Sequence, residues 1–321
     1  MKNKRILIEI PTWLGDAVMT TPAVENIIQK YKNCELIIFG SFVATKLFLN
    51  HPNVKKIIID NSKNSGNRYI NLYKLASSVG YVDIALSFRK NFTTKLFLYF
   101  IKSKNKFIYK RYSKKQIHQV IRYNDFINKS LNINTIAKDL KIYINKNNKV
   151  NGEKKLLGIN PGATYGSAKR WYPKEFAAIA ISLKDKYDII IFGGPAEKDI
   201  AKDIEKELKI NNINNYKNIA GSTTIPELLD KISNLDLFIT GDSGPMHVAA
   251  AFKIPSICIF GPTKDTETSQ WNNPISKIVK KDYECMPCMK RECPLKGEKN
   301  HQCMKNIKAN DIIKVIKELN I

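Results

Sequence analysis

Strand-like and helical periodicities alternate twice along this chain, and one polar stretch separates the two arrays. No other feature narrows the fold as much. In the first array, apolar runs of strand length cover residues 6–10, 35–39, 56–60, 83–88 and 106–110. Helical patterns cover residues 17–31, 43–49 and 69–79. Residues 145–155 (NKNNKVNGEKK) have no apolar periodicity and read as a linker. The alternation then restarts, with strands at 156–160, 188–192, 235–240 and 256–260. Helices follow at 173–186, 197–208, 225–233 and 245–252, and a last one at about 310–319. Pro173 and Pro226 stand at or just inside helix starts, where a missing N–H does no harm. The expectation is an α/β protein of two Rossmann-like, doubly wound domains, 1–150 and 151–321, facing a cleft. The last helix is expected to pack back on the N-terminal domain. A chain of 321 residues suffices for two cores.

Three turns carry polar residues to the carboxyl ends of strands, where open α/β sheets bind ligands. The first is residues 241–251 (GDSGPMHVAAA), a strand-to-helix turn. Free N–H groups and the positive dipole end of that helix suit a phosphate, and Gly244 permits close approach. Asp242, Ser243 and His247 add polar groups; an ordinary capped turn with a buried structural His is the alternative. The second is residues 11–16 (PTWLGD), where Asp16 is expected at a helix N-cap. It reads either as a cap or as a carboxylate placed to act as a base. The third is residues 160–171 (NPGATYGSAKRW), which ends in Lys169, Arg170 and Trp171. Those cations suit phosphate if they are not simply solvated.

Charge is distributed unevenly. Residues 1–150 hold 27 Lys and Arg against 8 Asp and Glu, whereas residues 151–321 hold 26 against 21. A compositional bias toward Lys raises the total, but does not thin out acids in one half only. The basic half points to a polyanionic partner, a membrane surface or nucleic acid. Residues 102–115 (KSKNKFIYKRYSKK) interleave aromatics with cations, which suits either. No zinc-finger, basic-heptad or RNA-recognition pattern is present, so nucleic acid is not expected. No GxGxxG opens the first helix and no GxxxxGK[ST] occurs, which argues against dinucleotide and P-loop chemistry. No apolar run reaches membrane-spanning length and no signal-peptide core stands at the start, so a cytoplasmic protein is expected.

Cys34 and Cys258 lie in apolar runs and read as core thiols. Cys285, Cys288, Cys293 and Cys303 form a late cluster. Its spacing allows a structural zinc; reduced thiols packing a loop are the alternative.

The ordered set PTWLGDAVMTTPAV, PGATYGSAKRW and GDSGPMHVAAA resembles the heptosyltransferases of lipopolysaccharide core assembly, glycosyltransferase family 9. Within that family, AKRW, SGPMHVAAA and the tail CMPCMKRECP are most similar to the enzymes that add the second heptose. The likeness spans nearly the whole chain, although residues 61–150 carry no matching motif. It implies the GT-B architecture and inverting, metal-independent transfer from ADP-heptose to the lipid A–core oligosaccharide, without a cofactor. Asp16 would be the base that deprotonates the acceptor. Lys169, with N–H groups near Ser243 and Gly244, would hold the diphosphate. Glu197 would accept from ribose hydroxyls, Asp242 and His247 would contact sugar or phosphates, and Thr164 would touch phosphate. Lys102, Lys104, Lys110, Arg111, Lys114 and Lys115 are expected to serve the acceptor and an anionic inner-membrane surface. A member adding the first or third heptose would share these motifs. A nucleic-acid-binding protein and a non-catalytic lectin-like descendant also stay open, the latter disfavoured by Asp16.

Overall fold

The computed structural model describes residues 3–64, 66–145, 152–163 and 165–319. The chain divides into two compact units, Met1–Asn145 and Lys146–Ile321. Residues 146–151 of the expected linker lie outside the described set.

The N-terminal unit is a five-stranded parallel sheet made of β1 (Arg5–Glu9), β2 (Glu35–Gly40), β3 (Val54–Ile59), β4 (Tyr81–Ser87) and β5 (Lys102–Ile108). The order is β3-β2-β1-β4-β5. Ile6, Leu7 and Ile8 are all fully buried, so helices cover both faces of the central strand. The apolar run made β1 easy to find. By contrast β5 is an edge strand whose KSKNKFI sequence is mostly exposed, so only its apolar end stood out as a strand. It begins at Lys102, four residues before the expected start. Lysines there also blunt the unpaired edge. Two helices absent from the expected set complete the unit, Phe92–Phe100 and Gln119–Leu131.

The C-terminal unit has six parallel strands: β6 (Lys155–Asn160), β7 (Tyr187–Ile191), β8 (Tyr216–Asn218), β9 (Leu237–Gly241), β10 (Ser256–Ile259) and β11 (Ser276–Val279). The order is β11-β10-β9-β6-β7-β8. The short outer strands β8 and β11 are too polar and brief to show as apolar runs. The final helix, Ala309–Glu318, belongs to the C-terminal unit. Its Ile312 and Ile316 sit in the C-terminal unit's own core, with Phe176, Ala177 and Ile257. Truncating either isoleucine to Ala should cost about 2–5 kcal/mol. Among the described residues no helix is long and apolar enough to cross a membrane.

Strand order reverses between β1 and β4 in the first sheet and between β6 and β9 in the second. Crevices open there at the carboxyl ends of the strands. Asp16 follows β1 at the first point, and Lys169, Asp242, Ser243 and Gly244 follow β6 and β9 at the second.

Candidate functional site

In the C-terminal unit, Asn160 and Thr240 are register partners at the ends of β6 and β9. Both are buried. Asn160 Nδ2 donates to Thr240 Oγ1 and to Ser243 Oγ, each at 3.2 Å, and the two hydroxyls are 3.1 Å apart. This triangle ties the turn after β9 to the neighbouring strand. Ser243 is consequently held extended, at φ −146° and ψ 167°, and its side chain does not cap the helix Gly244–Ala251. Helix geometry leaves first-turn N–H groups without intrahelical acceptors, and the dipole favours an anion there.

Lys169 stands opposite. It ends a single helical turn, Ser167–Lys169, in the loop after β6. Its Nζ is 2.7 Å from Asp242 Oδ2, with both side chains mostly buried. Thr263 Oγ1, from the loop after β10, donates to the same oxygen at 2.7 Å. Three loops thus meet on one carboxylate. Lys169 Nζ also lies 5.0 Å from the centre of the Tyr165 ring.

The Lys169 loop is braced by the cysteine-rich tail, a link the sequence reading missed. Ala168 N donates to Arg291 O at 3.0 Å, and Tyr165 Oη donates to Met289 O at 3.0 Å. His301 Nε2 is 3.0 Å from Ala168 O, while its Nδ1 is 3.0 Å from Tyr172 Oη. Trp171 Nε1 donates to Ile307 O at 3.0 Å. A Cβ at Gly166 would run into the Arg291 carbonyl, so no larger residue fits this approach. Cys285, Cys288, Cys293, Cys303 and His301 line one small cavity beneath the loop. Burial first, then the neighbouring thiols, pushes the Cys303 thiol up to about 11. Among the described residues no three Cys, His, Asp or Glu are grouped to hold a metal ion.

Glu197 lies between the short turn Pro195–Glu197 and the helix Lys198–Ile210, in the connection after β7. Its Oε2 accepts from Gly194 N at 2.6 Å, and it is buried. Gly162, in the β6 loop, faces this carboxyl so closely that a Cβ would overlap it. Glu197 therefore adjoins the same loop that carries Lys169. His247 is buried in the first turns of Gly244–Ala251. Thr164 lies outside the described residues.

In the N-terminal unit, Asp16 is not an N-cap. The helix begins three residues earlier than expected, as Leu14–Met19 with Trp13 at its N-cap, and Asp16 falls in its first turn. Asp16 is half-buried. Its neighbour is Tyr123 of Gln119–Leu131, whose hydroxyl is pushed well above its ordinary range by burial, then by the charge of Asp16, to which it also hydrogen-bonds. Nothing local in the sequence marks Tyr123, because the contact spans over a hundred residues. A second carboxylate, Glu9 at the end of β1, is buried at the switch point. It accepts from Ser87 Oγ at 2.7 Å, Thr94 Oγ1 at 3.0 Å and Arg89 Nη1 at 3.2 Å. Burial raises its pKa despite these donors.

The six basic candidates separate. Lys102 pairs in register with Tyr81 at the start of β4, so Lys102 and Lys104 lie toward the amino ends of the strands. Asp16 follows the carboxyl end of β1, on the opposite rim. Lys110, Arg111, Lys114 and Lys115 follow the carboxyl end of β5 and are exposed. Arg111 donates to Ser113 O and Lys115 O, which curls this segment.

The model of glycosyltransferase family 9 (heptosyltransferase) matches residues 97–299. Lipooligosaccharide heptosyltransferase 2 of Campylobacter jejuni serotype O:6 is 44% identical over 321 aligned positions, covering 98% of this chain and 99% of that protein. The structure of Escherichia coli ADP-heptose lipopolysaccharide heptosyltransferase II superposes with a TM-score of 0.81 at 20% identity, over 98% of each chain. A family 9 glycosyl transferase from Veillonella parvula superposes at 0.82 and 21% identity, over 98% of this chain and 97% of that one. The chain belongs to glycosyltransferase family 9 and is a glycosyltransferase.

Proposed function

We propose that this chain transfers L-glycero-D-manno-heptose from ADP-heptose to the first heptose of the lipopolysaccharide inner core, inverting the anomeric centre. The observation that carries the reading is the β6–β9 crevice, where Lys169 pairs with Asp242 just ahead of the helix Gly244–Ala251, a setting suited to a diphosphate. The full-length likeness to a heptosyltransferase 2 supports the choice of sugar and acceptor.

In this reading Lys169 and the N–H groups at Ser243 and Gly244 take the diphosphate. Glu197 accepts from the ribose hydroxyls, and Asp242 and His247 contact the sugar or phosphates. Asp16 removes the proton from the attacking acceptor hydroxyl. A new C–O bond then forms at the anomeric carbon as the bond to the phosphate oxygen breaks. The proton stays on Asp16, and ADP leaves with the electron pair. A fixed cation and a helix end stabilise charge as it develops on the leaving group, so no metal ion is required. Lys110, Arg111, Lys114 and Lys115 draw the anionic acceptor, and the protein works at the cytoplasmic face of the inner membrane.

The test is an incubation with ADP-heptose and defined core acceptors bearing none, one or two heptoses, read by mass spectrometry. A gain of one heptose on the one-heptose acceptor alone is expected. Gain only on the heptose-free or the two-heptose acceptor would assign a different step in the same family.

A further inference from the structure

Two helices of the N-terminal unit expose aromatic side chains that a water-facing surface does not need. Arg68–Val79 and Phe92–Phe100 lie side by side and bury Leu72, Ala76, Val79, Phe97 and Leu98 against the sheet. Their outer faces carry Tyr69, Ile70, Tyr73, Phe92 and Tyr99, each more than half exposed. The rings touch one another across the helices: Tyr69 with Phe92 at 6.4 Å and Tyr73 with Phe100 at 5.3 Å between centroids. Phe92–Phe100 (FTTKLFLYF) is apolar almost all round, a pattern proper to a buried or membrane-facing helix. Yet Phe92 is 67% and Tyr99 76% exposed. Such contiguous patches mark interaction surfaces.

The surrounding charge identifies the partner. Between residues 61 and 122 there are 14 Lys and Arg and a single acid, Asp83. That acid accepts the Arg5 backbone N–H at 2.8 Å. Lys74 and Lys95 stand among the rings, and Lys102, Lys104 and Lys106 line the adjoining edge strand, all exposed. Phe, Tyr and Ile ringed by Lys is the composition of a face that lies in a bilayer interface, the rings at headgroup depth and the cations over anionic lipid. It also gives a use to Lys102 and Lys104, which stand on the rim away from Asp16.

We propose that this aromatic face is where the protein docks on an anionic phospholipid bilayer. The proposal rests on the membrane-face part of the proposed function, and its vesicle test can fail while sugar transfer holds. Vesicle sedimentation tests it, using phosphatidylcholine with and without about a third phosphatidylglycerol, at about 0.15 M salt. Binding is expected only to the anionic vesicles. Replacing Tyr69, Tyr73, Phe92 and Tyr99 together by Ser should weaken it at least tenfold, with transfer to a lipid-free acceptor unchanged. Because four substitutions risk the fold, a Phe92→Trp variant supplies a second readout. Its fluorescence should shift to the blue and be quenched by brominated lipid, in anionic vesicles only. Absence of vesicle binding, or undiminished binding by the folded Ser variant, overturns the proposal. So does an unshifted Trp, or an oligonucleotide that displaces the vesicles.

Discussion

The two switch-point crevices of this molecule differ in how they handle charge. The C-terminal one is closed on itself. Lys169, Asp242 and Thr263 meet on one oxygen, and Asn160, Thr240 and Ser243 form a hydrogen-bonded triangle beside them. The N-terminal one holds a buried acid, Glu9, bound by Ser87, Thr94 and Arg89, and a half-buried acid, Asp16, hydrogen-bonded to Tyr123. The contrast teaches a division of labour. A compact set of fixed dipoles and one cation suits a small ligand of known shape. A half-buried carboxylate on a basic unit suits a large anionic acceptor.

The sharpest way to break that division is at Asp16. Asp16→Ala should lower turnover by about 10²–10⁴, the usual value of a general base. ADP affinity, measured by calorimetry, should stay within about twofold of the parent. A loss of ADP binding in parallel with turnover would erase the distinction between the crevices.

Lys169→Ala should lower both donor affinity and turnover, by about tenfold or more in kcat/KM, because a cation at the leaving group acts in ground and transition states. If only the melting temperature moves, Lys169 serves the fold through Asp242 and nothing more. Gly162→Ala is subtler. The added methyl must displace the Glu197 carboxyl, so donor KM should rise by about tenfold while acceptor KM holds. Equal changes in both constants would show a general disturbance of the loop after β6.

Smaller effects sharpen the charge argument. Neutralising Lys110, Arg111, Lys114 and Lys115 should raise acceptor KM severalfold at low salt and hardly touch donor KM. Neutralising Lys102 and Lys104 should leave acceptor KM alone and weaken vesicle binding instead. Salt should erode acceptor KM more than donor KM, since exposed charges are screened within about 8 Å.

The least effect is expected at Glu9. Burial raises its folded pKa above that of the unfolded chain. Its contribution to stability is therefore full below the ordinary carboxyl range and is lost as pH rises through the raised value. Glu9→Gln, which stays neutral, should gain on the parent by a few degrees in melting temperature as pH rises above the ordinary carboxyl range. A difference that does not change with pH would mean that Ser87, Thr94 and Arg89 fully offset the burial.

These residues also show what a single chain discloses. Strands such as β1 and β9 were legible because both faces are buried and the sequence becomes a continuous apolar run. The turn at Asp242–Gly244 was legible for the same reason, since its strand announces where the loop begins. Edge strand β5 was half-hidden by its lysines. The start of the first helix was misplaced by three residues because Trp13 caps it without a side-chain hydrogen bond. Thr263 and Tyr123 were invisible, for they reach their carboxylates from other elements of the fold and not along the chain. The tail Cys285–Cys303 was read as a possible metal site because spacing was all that could be seen. Its grip on Ala168 needs coordinates.

The Lys169–Asp242 contact has a consequence for how tightly any phosphate is held. In the proposed reaction the incoming diphosphate does not meet a bare cation. It must take Lys169 from a carboxylate oxygen already seated 2.7 Å away. Binding is then an exchange of one anion for another, and its strength is a difference between two similar attractions. When ADP departs, Asp242 is still in place to reclaim the lysine, which favours turnover over product retention.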